Sequence, residues 1–375
     1  MESPHEELRR RAADLATREL EPRAAAYDRE GAFPRESIER MAEEGFFGLM
    51  LPPEYGGMGQ GLLAYAVAME EIARACASSA LIWGVHSALV AGSIVAWGTQ
   101  EQKRRLLPAL GRAEMLGAFC LTEPGAGSDA GAVRTTARRE GLHYILDGEK
   151  MFITSGGVAG LYLLIASTDP AQGSRGLTAF LVEKERPGIS FGPPLEKMGL
   201  RSSVTTAVYL EDCRIPEGNR LGREGEGFKI ALSALDRGRV GIAAQAIGIA
   251  RAAYEHASDY ARRREQFGQP IASFQGIQWR LVDMATDIDA ARLLCHRAAA
   301  LADRGERFTR EAAQAKLFAT RMAMRCCEDA VQIHGGYGYL CDYTVERLMR
   351  DVKVTEIYEG TSEIMRVVIA AHLLR

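Results

Sequence analysis

Between residue 115 and about residue 224 the chain changes texture, and nothing else in the sequence constrains its fold as strongly. Seven segments (116–121, 133–138, 144–146, 151–154, 161–167, 177–182 and 204–210) are short, rich in β-branched or aromatic residues, and punctuated by Gly, Pro, Asp or Ser. That is the pattern of strands at hairpin-like spacing, hence of a β-sandwich or barrel. On both sides the spacing is helical. Residues 6–27 are charged and Ala-rich, and Pro34-Arg35-Glu36-Ser37 starts a helix that ends near Gly45. The turn-rich run from Leu51 to Gly59 must be a loop, and helical spacing then continues from residue 62 to about 110. Helices return near residue 225, over 227–264, 274–303, 309–334, 343–357 and 362–374, with Gly268-Gln269-Pro270 as one break and Gly335-Gly336 as a stop. The expected fold is α+β and multidomain. An N-terminal all-α domain covers 1–114, a middle β-sandwich or barrel domain 115–224, and a C-terminal four-helix-bundle domain 225–375. A chain of 375 residues has material for that division.

Several function classes are disfavoured. A net charge of −3 without a basic tail gives no general attraction to nucleic acid or anionic membrane. No pair among the seven cysteines has C-x-x-C spacing, and adjacent Cys326 and Cys327 read as buried thiols on a helix, so a reduced, cytoplasmic setting is expected. The histidines are scattered with no H-E-x-x-H, so no metal site is expected. Residues 2–28 are dense in Glu and Arg and lack the apolar core of a signal peptide. Residues 75–100 contain no Asp, Glu, Lys or Arg and rival the ~20 apolar residues of a membrane span. Ser78, Ser79, His86, Ser87 and Ser93 interrupt them, so a buried helix beside a ligand tunnel is the better reading. A membrane or scaffold protein is the alternative of another class.

Gly125-Ala126-Gly127-Ser128-Asp129-Ala130 matches G-x-G-x-x-A, with Asp147 about 20 residues on, as in a dinucleotide fingerprint. That motif must open a helix inside a strand–helix–strand unit, whereas the residues after Gly131 alternate like a hairpin. A Rossmann domain is therefore rejected. The loop remains either a plain turn or an anion nest of backbone N–H groups.

Its flanks decide more. Phe119-Cys120-Leu121-Thr122-Glu123-Pro124-Gly125-Ala126-Gly127-Ser128-Asp129 resembles the flavin-binding signature of acyl-CoA dehydrogenases. Lys150-Met151-Phe152-Ile153-Thr154-Ser155-Gly156 resembles that family's second flavin strand, and Leu235-Asp236-Arg237-Gly238-Arg239 opens the first long C-terminal helix as in its short-chain members. Arg264-Glu265-Gln266-Phe267-Gly268, Gln332-Ile333-His334-Gly335-Gly336-Tyr337-Gly338 and Ile357-Tyr358-Glu359-Gly360-Thr361-Ser362-Glu363-Ile364 complete six motifs in the family's order.

The resemblance implies FAD bound between the β domain and the bundle. Thr122 and the backbone around Leu121 would meet the flavin's pyrimidine edge, Thr154 its N5 and Phe152 its ring. Phe119, Gly127 and Ile153 belong to the same strands and loop, and Ser128 would face both the pyrophosphate and the substrate's pantetheine. Arg264, Gln275, Gln332 and Gly336 would reach the adenine half from a neighbouring subunit, with Phe267, Gly335, Thr361 and Glu363 also on the cofactor side. An Arg suits a phosphate through its planar fork of donors. Asp236, Arg239 and Gly360 would lie on the substrate side. Glu359 would be the catalytic base, removing the α-proton of a fatty acyl-CoA while a hydride passes to flavin N5, giving the trans-2-enoyl-CoA. Its backbone N–H and a ribityl hydroxyl would steady the thioester oxygen. Two effects compete at Glu359: the dipole of the helix after it favours ionisation, and burial beside ligands opposes it. A branch of the family carries its base just before the Arg aligned with Arg239; here that residue is Gly238. Electrons would leave to an electron-transfer flavoprotein, and a homotetramer, at least a dimer, is implied. An acyl-carrier-protein-linked thioester dehydrogenase stays open as an alternative. A flavin oxidase or monooxygenase on the same fold is opposed by Glu359.

Overall fold

The computed structural model describes residues 4–374, and in it a sheet is held between two groups of helices. The N-terminal group starts with α1 (Pro4–Leu15) and α2 (Glu21–Glu30), joined by a π-helical turn over Ala16–Leu20. It continues with α3 (Arg35–Glu43) and α4 (Leu62–Ala75). The uncharged stretch forms α5 (Ala77–Gly84), a π-helical segment (Val85–Ala91) and α6 (Gly92–Trp97). By length and apolarity this helix of 21 residues could cross a membrane, but 78% of its most apolar window is buried within the protein. α7 (Gln100–Gly111) follows, opened by a capping box between Thr99 and Gln102.

Eight strands make one sheet: β1 (Gly117–Cys120), β2 (Thr136–Glu140), β3 (His143–Thr154), β4 (Leu161–Ser167), β5 (Leu177–Glu183), β6 (Ile189–Phe191), β7 (Thr205–Pro216) and β8 (Arg220–Leu221). Their order is β6-β7-β3-β2-β4-β5-β8, with β1 parallel to β4. A single pair, Thr136 opposite Ser167, joins the two halves. β4 is buried on both faces. Tyr162, Leu164 and Ala166 enter one apolar core, and Leu161, Leu163 and Ile165 another, which is why the strand reads as an unbroken apolar run.

Segments 144–146 and 151–154, separate strands by sequence, are one strand, β3. The Asp147-Gly148 pair that separates them is of residue types common in turns. It lies within the strand, and glycine stands there because a Cβ would lie 2.6 Å from Thr135 Oγ1. β6 and β8 were missed; three and two residues carry no readable alternation.

The C-terminal group comprises α8 (Gly227–Arg263), a small hairpin of β9 (Glu265–Gln266) and β10 (Gln269–Pro270), α9 (Gln275–Asp303), α10 (Thr309–His334), α11 (Thr344–Val352) and α12 (Ser362–Leu373). The bundle is tied to the N-terminal helices. Asp303, the last residue of α9, accepts from the first N–H groups of α4, at Leu62 (2.5 Å) and Leu63 (3.0 Å). α8 runs antiparallel along the apolar helix 77–97. Gln245 donates to the Ala77 carbonyl (2.8 Å), Arg237 to that of Ala88 (3.1 Å), and Trp97 Nε1 to Ser233 Oγ (3.2 Å). Glycines let α8 approach closely: a Cβ on Gly248 would lie 2.3 Å from the Glu70 carbonyl. The Leu235–Arg239 motif lies two turns inside α8 instead of opening it.

Candidate active site

The glycine-rich loop after β1 is held from beneath by a buried ion pair. Lys150 on β3, fully buried, donates to Glu123 Oε1 (2.7 Å) and to the Leu121 carbonyl (3.2 Å). Glu123 also accepts from the Arg134 and Thr135 N–H groups and from the Thr135 hydroxyl. Met151 N–H then donates to the Thr122 carbonyl (2.9 Å), so Thr122 is pinned on both sides. The first half of the loop is thereby fixed, while Gly125 and Gly127 stand in open space.

Above this loop lie two adjoining cavities, of about 600 and 470 Å³. Thr122, Gly127, Ser128, Phe152, Thr154, Glu359 and Gly360 line both. Three of the seven non-glycine residues with left-handed backbone among those described line the larger one: Phe152 (φ 59°), Leu200 (φ 47°) and Glu359 (φ 54°). Such conformations cost about 1–3 kcal/mol each and persist where the surroundings impose them. At Phe152 the strain sits in the irregular register between β3 and β7 and presents a ring 62% exposed to the cavity. Ser203 Oγ, on the same wall, is sealed from solvent without a protein partner. An open aromatic face, an unpaired hydroxyl and a fixed threonine fit the flat, hydrogen-bonding ring of the FAD expected from sequence.

Glu359 stands where the two cavities meet. One face of the residue borders the cavity, but its Oε2 is sealed from solvent and has no hydrogen-bond partner. Gly238 makes room for it, since a Cβ there would lie 1.9 Å from Oε2. Burial pushes the carboxyl up from 4.5 to about 7, against the opposing pull of Lys316 and then Arg239. The restraint thus comes from two cations, whereas sequence reasoning named the helix dipole. Thr361 does cap α12, accepting from Ile364 N–H (3.2 Å). Arg239, 4% exposed, donates to Asp236 (2.7 Å), which accepts from Thr309 (2.6 Å). Asp236 therefore orients Arg239 and does not itself line either cavity.

Beyond Glu359 space runs out. Tyr65 and Met69 of α4, with Gly238, Gly241 and Gln245 of α8, enclose only about 10 Å³, room for about one water. The Tyr65 hydroxyl there has no partner. Gln245 accepts from Tyr358 (2.6 Å) while donating to Ala77, bracing the end wall.

Of the residues singled out by sequence, Phe119, Leu121, Thr122, Gly127, Ser128, Phe152, Ile153, Thr154, Arg239, Glu359, Gly360 and Thr361 gather on these cavities. Glu363 does not; its side chain is 79% exposed in the first turn of α12. Arg264, Gly335 and Gly336 line a separate cavity of about 430 Å³, with exposed Phe267, Gln275 and Gln332 flanking it in the chain. From Gly238 to Arg264 is about 40 Å along α8. Sequence reasoning missed Lys316, Ser203 and Tyr65. Lys316 stands out only as the lone lysine among the alanines of α10, which points to no partner.

The comparisons agree with one another. Models of the acyl-CoA dehydrogenase N-terminal, middle and C-terminal domains match residues 2–114, 118–213 and 225–374. The chain is 48% identical to an acyl-CoA dehydrogenase of Bacillus subtilis (strain 168), over 98% of this chain and 97% of that one. The solved butyryl-CoA dehydrogenase of Megasphaera elsdenii superposes with a TM-score of 0.98 at 41% identity, covering 100% of this chain and 99% of that one. A chain in the solved structure of the electron transferring flavoprotein of Acidaminococcus fermentans gives the same TM-score, 0.98, at 45% identity, covering 100% and 99%.

Proposed function

The chain belongs to the acyl-CoA dehydrogenase family, and on that footing we propose that it oxidises short-chain acyl-CoA thioesters at the α,β bond, with Glu359 as the base. It is an oxidoreductase of a flavoprotein family in fatty-acid metabolism. One observation carries the finer reading: an unpartnered carboxylate oxygen at the wall shared by two cavities, one suited to cofactor and one to substrate.

Bound FAD supplies the acceptor for the hydride that leaves the substrate's β-carbon. Thr122, the Leu121 backbone, Phe152 and Thr154 hold its ring, and Gly127 and Ser128 its pyrophosphate. Arg264, Gln275, Gln332, Gly335 and Gly336 reach the adenine half of a neighbour's FAD. The Glu359 carboxylate takes the α-proton, so the Cα–H electron pair flows toward the thioester carbonyl. The Glu359 N–H donates to that oxygen as negative charge gathers there. Arg239, steered by Asp236, keeps the base from rising further and would sit over the acyl end. A carboxyl near 7 is matched to proton abstraction at neutral pH.

The wall of Tyr65, Gly241 and Gln245 supports short, straight acyl groups, because the space it encloses is only about 10 Å³. An electron-transfer flavoprotein as acceptor is supported by the Acidaminococcus likeness. Assembly of copies is supported by exposed apolar residues on α9 (Trp279, Val282, Leu293) and α12 (Val367). Free, largely buried cysteines support a cytoplasmic setting.

The test is anaerobic mixing of FAD-loaded protein with acyl-CoAs of increasing length, following the flavin's visible absorbance. Four-carbon thioesters should bleach it fastest, and Glu359→Gln should retain FAD without bleaching. Bleaching by acyl-carrier-protein thioesters alone would replace the CoA assignment, and undiminished bleaching in Glu359→Gln would remove the base.

A further inference from the structure

Lys316 is fully buried on α10. Its ammonium donates to two backbone carbonyls, Gly360 O at 2.7 Å and Thr355 O at 2.9 Å. Those carbonyls bracket Glu356, Ile357, Tyr358 and Glu359, so one side chain ties together both ends of the turn that carries the base. Within the turn, Glu359 has φ 54° and Gly360 φ 101°. A left-handed glutamate is strained backbone held by its surroundings, and nothing in its own sequence favours it. Two charge-assisted hydrogen bonds of this length, in a dry site, are of the order needed to hold it.

We propose that Lys316 is a positioning residue for the base, closing the 355–360 turn so that the Glu359 carboxylate is held at the substrate cavity. This rests on Glu359 being the base. The charge and the clamp are separable. The clamp acts through backbone carbonyls, and the charge acts across space, where Lys316 is the leading influence holding the Glu359 carboxyl down against burial. The groups facing the ammonium are Glu359, Arg239 of α8 and Glu356 of the same turn. Burial draws the lysine itself down to about 8, with Glu359 opposing. The turn therefore holds a cation and a carboxylate that favour each other's charged forms.

Two variants dissect it. Lys316→Met removes both effects; Lys316→Gln keeps N–H donors and removes the charge. With FAD loaded, Lys316→Met should lower kcat about a hundredfold with KM changed less than about threefold, the signature of a displaced base. Amide hydrogen exchange over residues 355–361 should quicken about tenfold, a readout independent of turnover. Lys316→Gln should restore slow exchange, yet still shift the acid limb of the kcat–pH profile upward by about one unit. Glu359→Gln is run alongside. Turnover surviving in it sinks the base assignment itself. An inactive Glu359→Gln beside a Lys316→Met with wild-type exchange and pH profile overturns the role of the lysine alone. If Lys316→Met and Lys316→Gln both lose FAD and kcat equally at every pH, the lysine only supports the fold and the proposal fails.

Discussion

Around Glu359, the proposed base, the tolerance is set by single atoms. A methyl group added at Gly238 would stand 1.9 Å from Glu359 Oε2 and 2.7 Å from a Leu89 methyl. Both neighbours are side-chain ends that border a cavity, so Gly238→Ala should push the carboxylate off its position. The expected outcome is a loss of about a hundredfold in kcat with FAD content unchanged, read from turnover and flavin absorbance. The same carboxyl sets the pH dependence. It must be ionised to accept a proton, and burial raises it to about 7, so kcat should climb as pH rises through that value. Its linkage to stability has the opposite sign. Between 4.5 and 7 the folded protein binds this proton more tightly than the unfolded chain, so stability falls as pH rises through that window. Glu359 and Gly238 were legible because each sits in a contiguous motif. Lys316 was not, because its partners are backbone carbonyls some forty residues away, and a lone lysine among alanines gives no hint of a destination.

At the scale of elements, the strand-to-loop junction after β1 depends on a pair buried beneath it. Lys150 and Glu123 together hold the Leu121 carbonyl, the Arg134 backbone and Thr135 in place. Lys150→Met would leave Glu123 buried without its cation. That should destabilise the protein by about 3–5 kcal/mol in urea unfolding and lower FAD retention, since Thr122 loses its footing. The sequence announced the loop and β3 by their side chains. It concealed that β3 is continuous, because Gly148 serves a close approach to Thr135 here, and the same residue type usually marks a turn. Helices were the easier elements. α9 and α10 were placed within a residue by their periodicity and stops, whereas β6 and β8 are pairings made by the sheet and too short to have a period of their own.

For the whole molecule, distance along α8 divides the labour. Gly238 and Arg264 are about 40 Å apart on one helix, so in the proposed arrangement Arg264 serves the FAD of another copy. Arg264 lies beside exposed Phe267, Tyr337 and Tyr339, a surface suited to a second copy. Co-refolded subunits carrying Arg264→Glu in one and Glu359→Gln in the other should recover about a quarter of wild-type activity, each parent alone being nearly inactive. No recovery from verified mixed oligomers would return Arg264 to its own chain's surface. The division into helical, β and helical parts was readable from texture alone; which helix covers which was not, because that depends on long-range shape. The helix over 77–97 illustrates the consequence. One side of it is covered by α8, which hydrogen-bonds to it at Ala77, Ala88 and Trp97. During translation the ribosome delivers those α8 residues 136 to 168 positions later. At ordinary elongation rates that leaves the α8-facing side of the greasy segment bare for on the order of ten seconds. A nascent chain of this design therefore presents to chaperones and to the membrane-insertion machinery something resembling an anchor, long before the finished enzyme hides it.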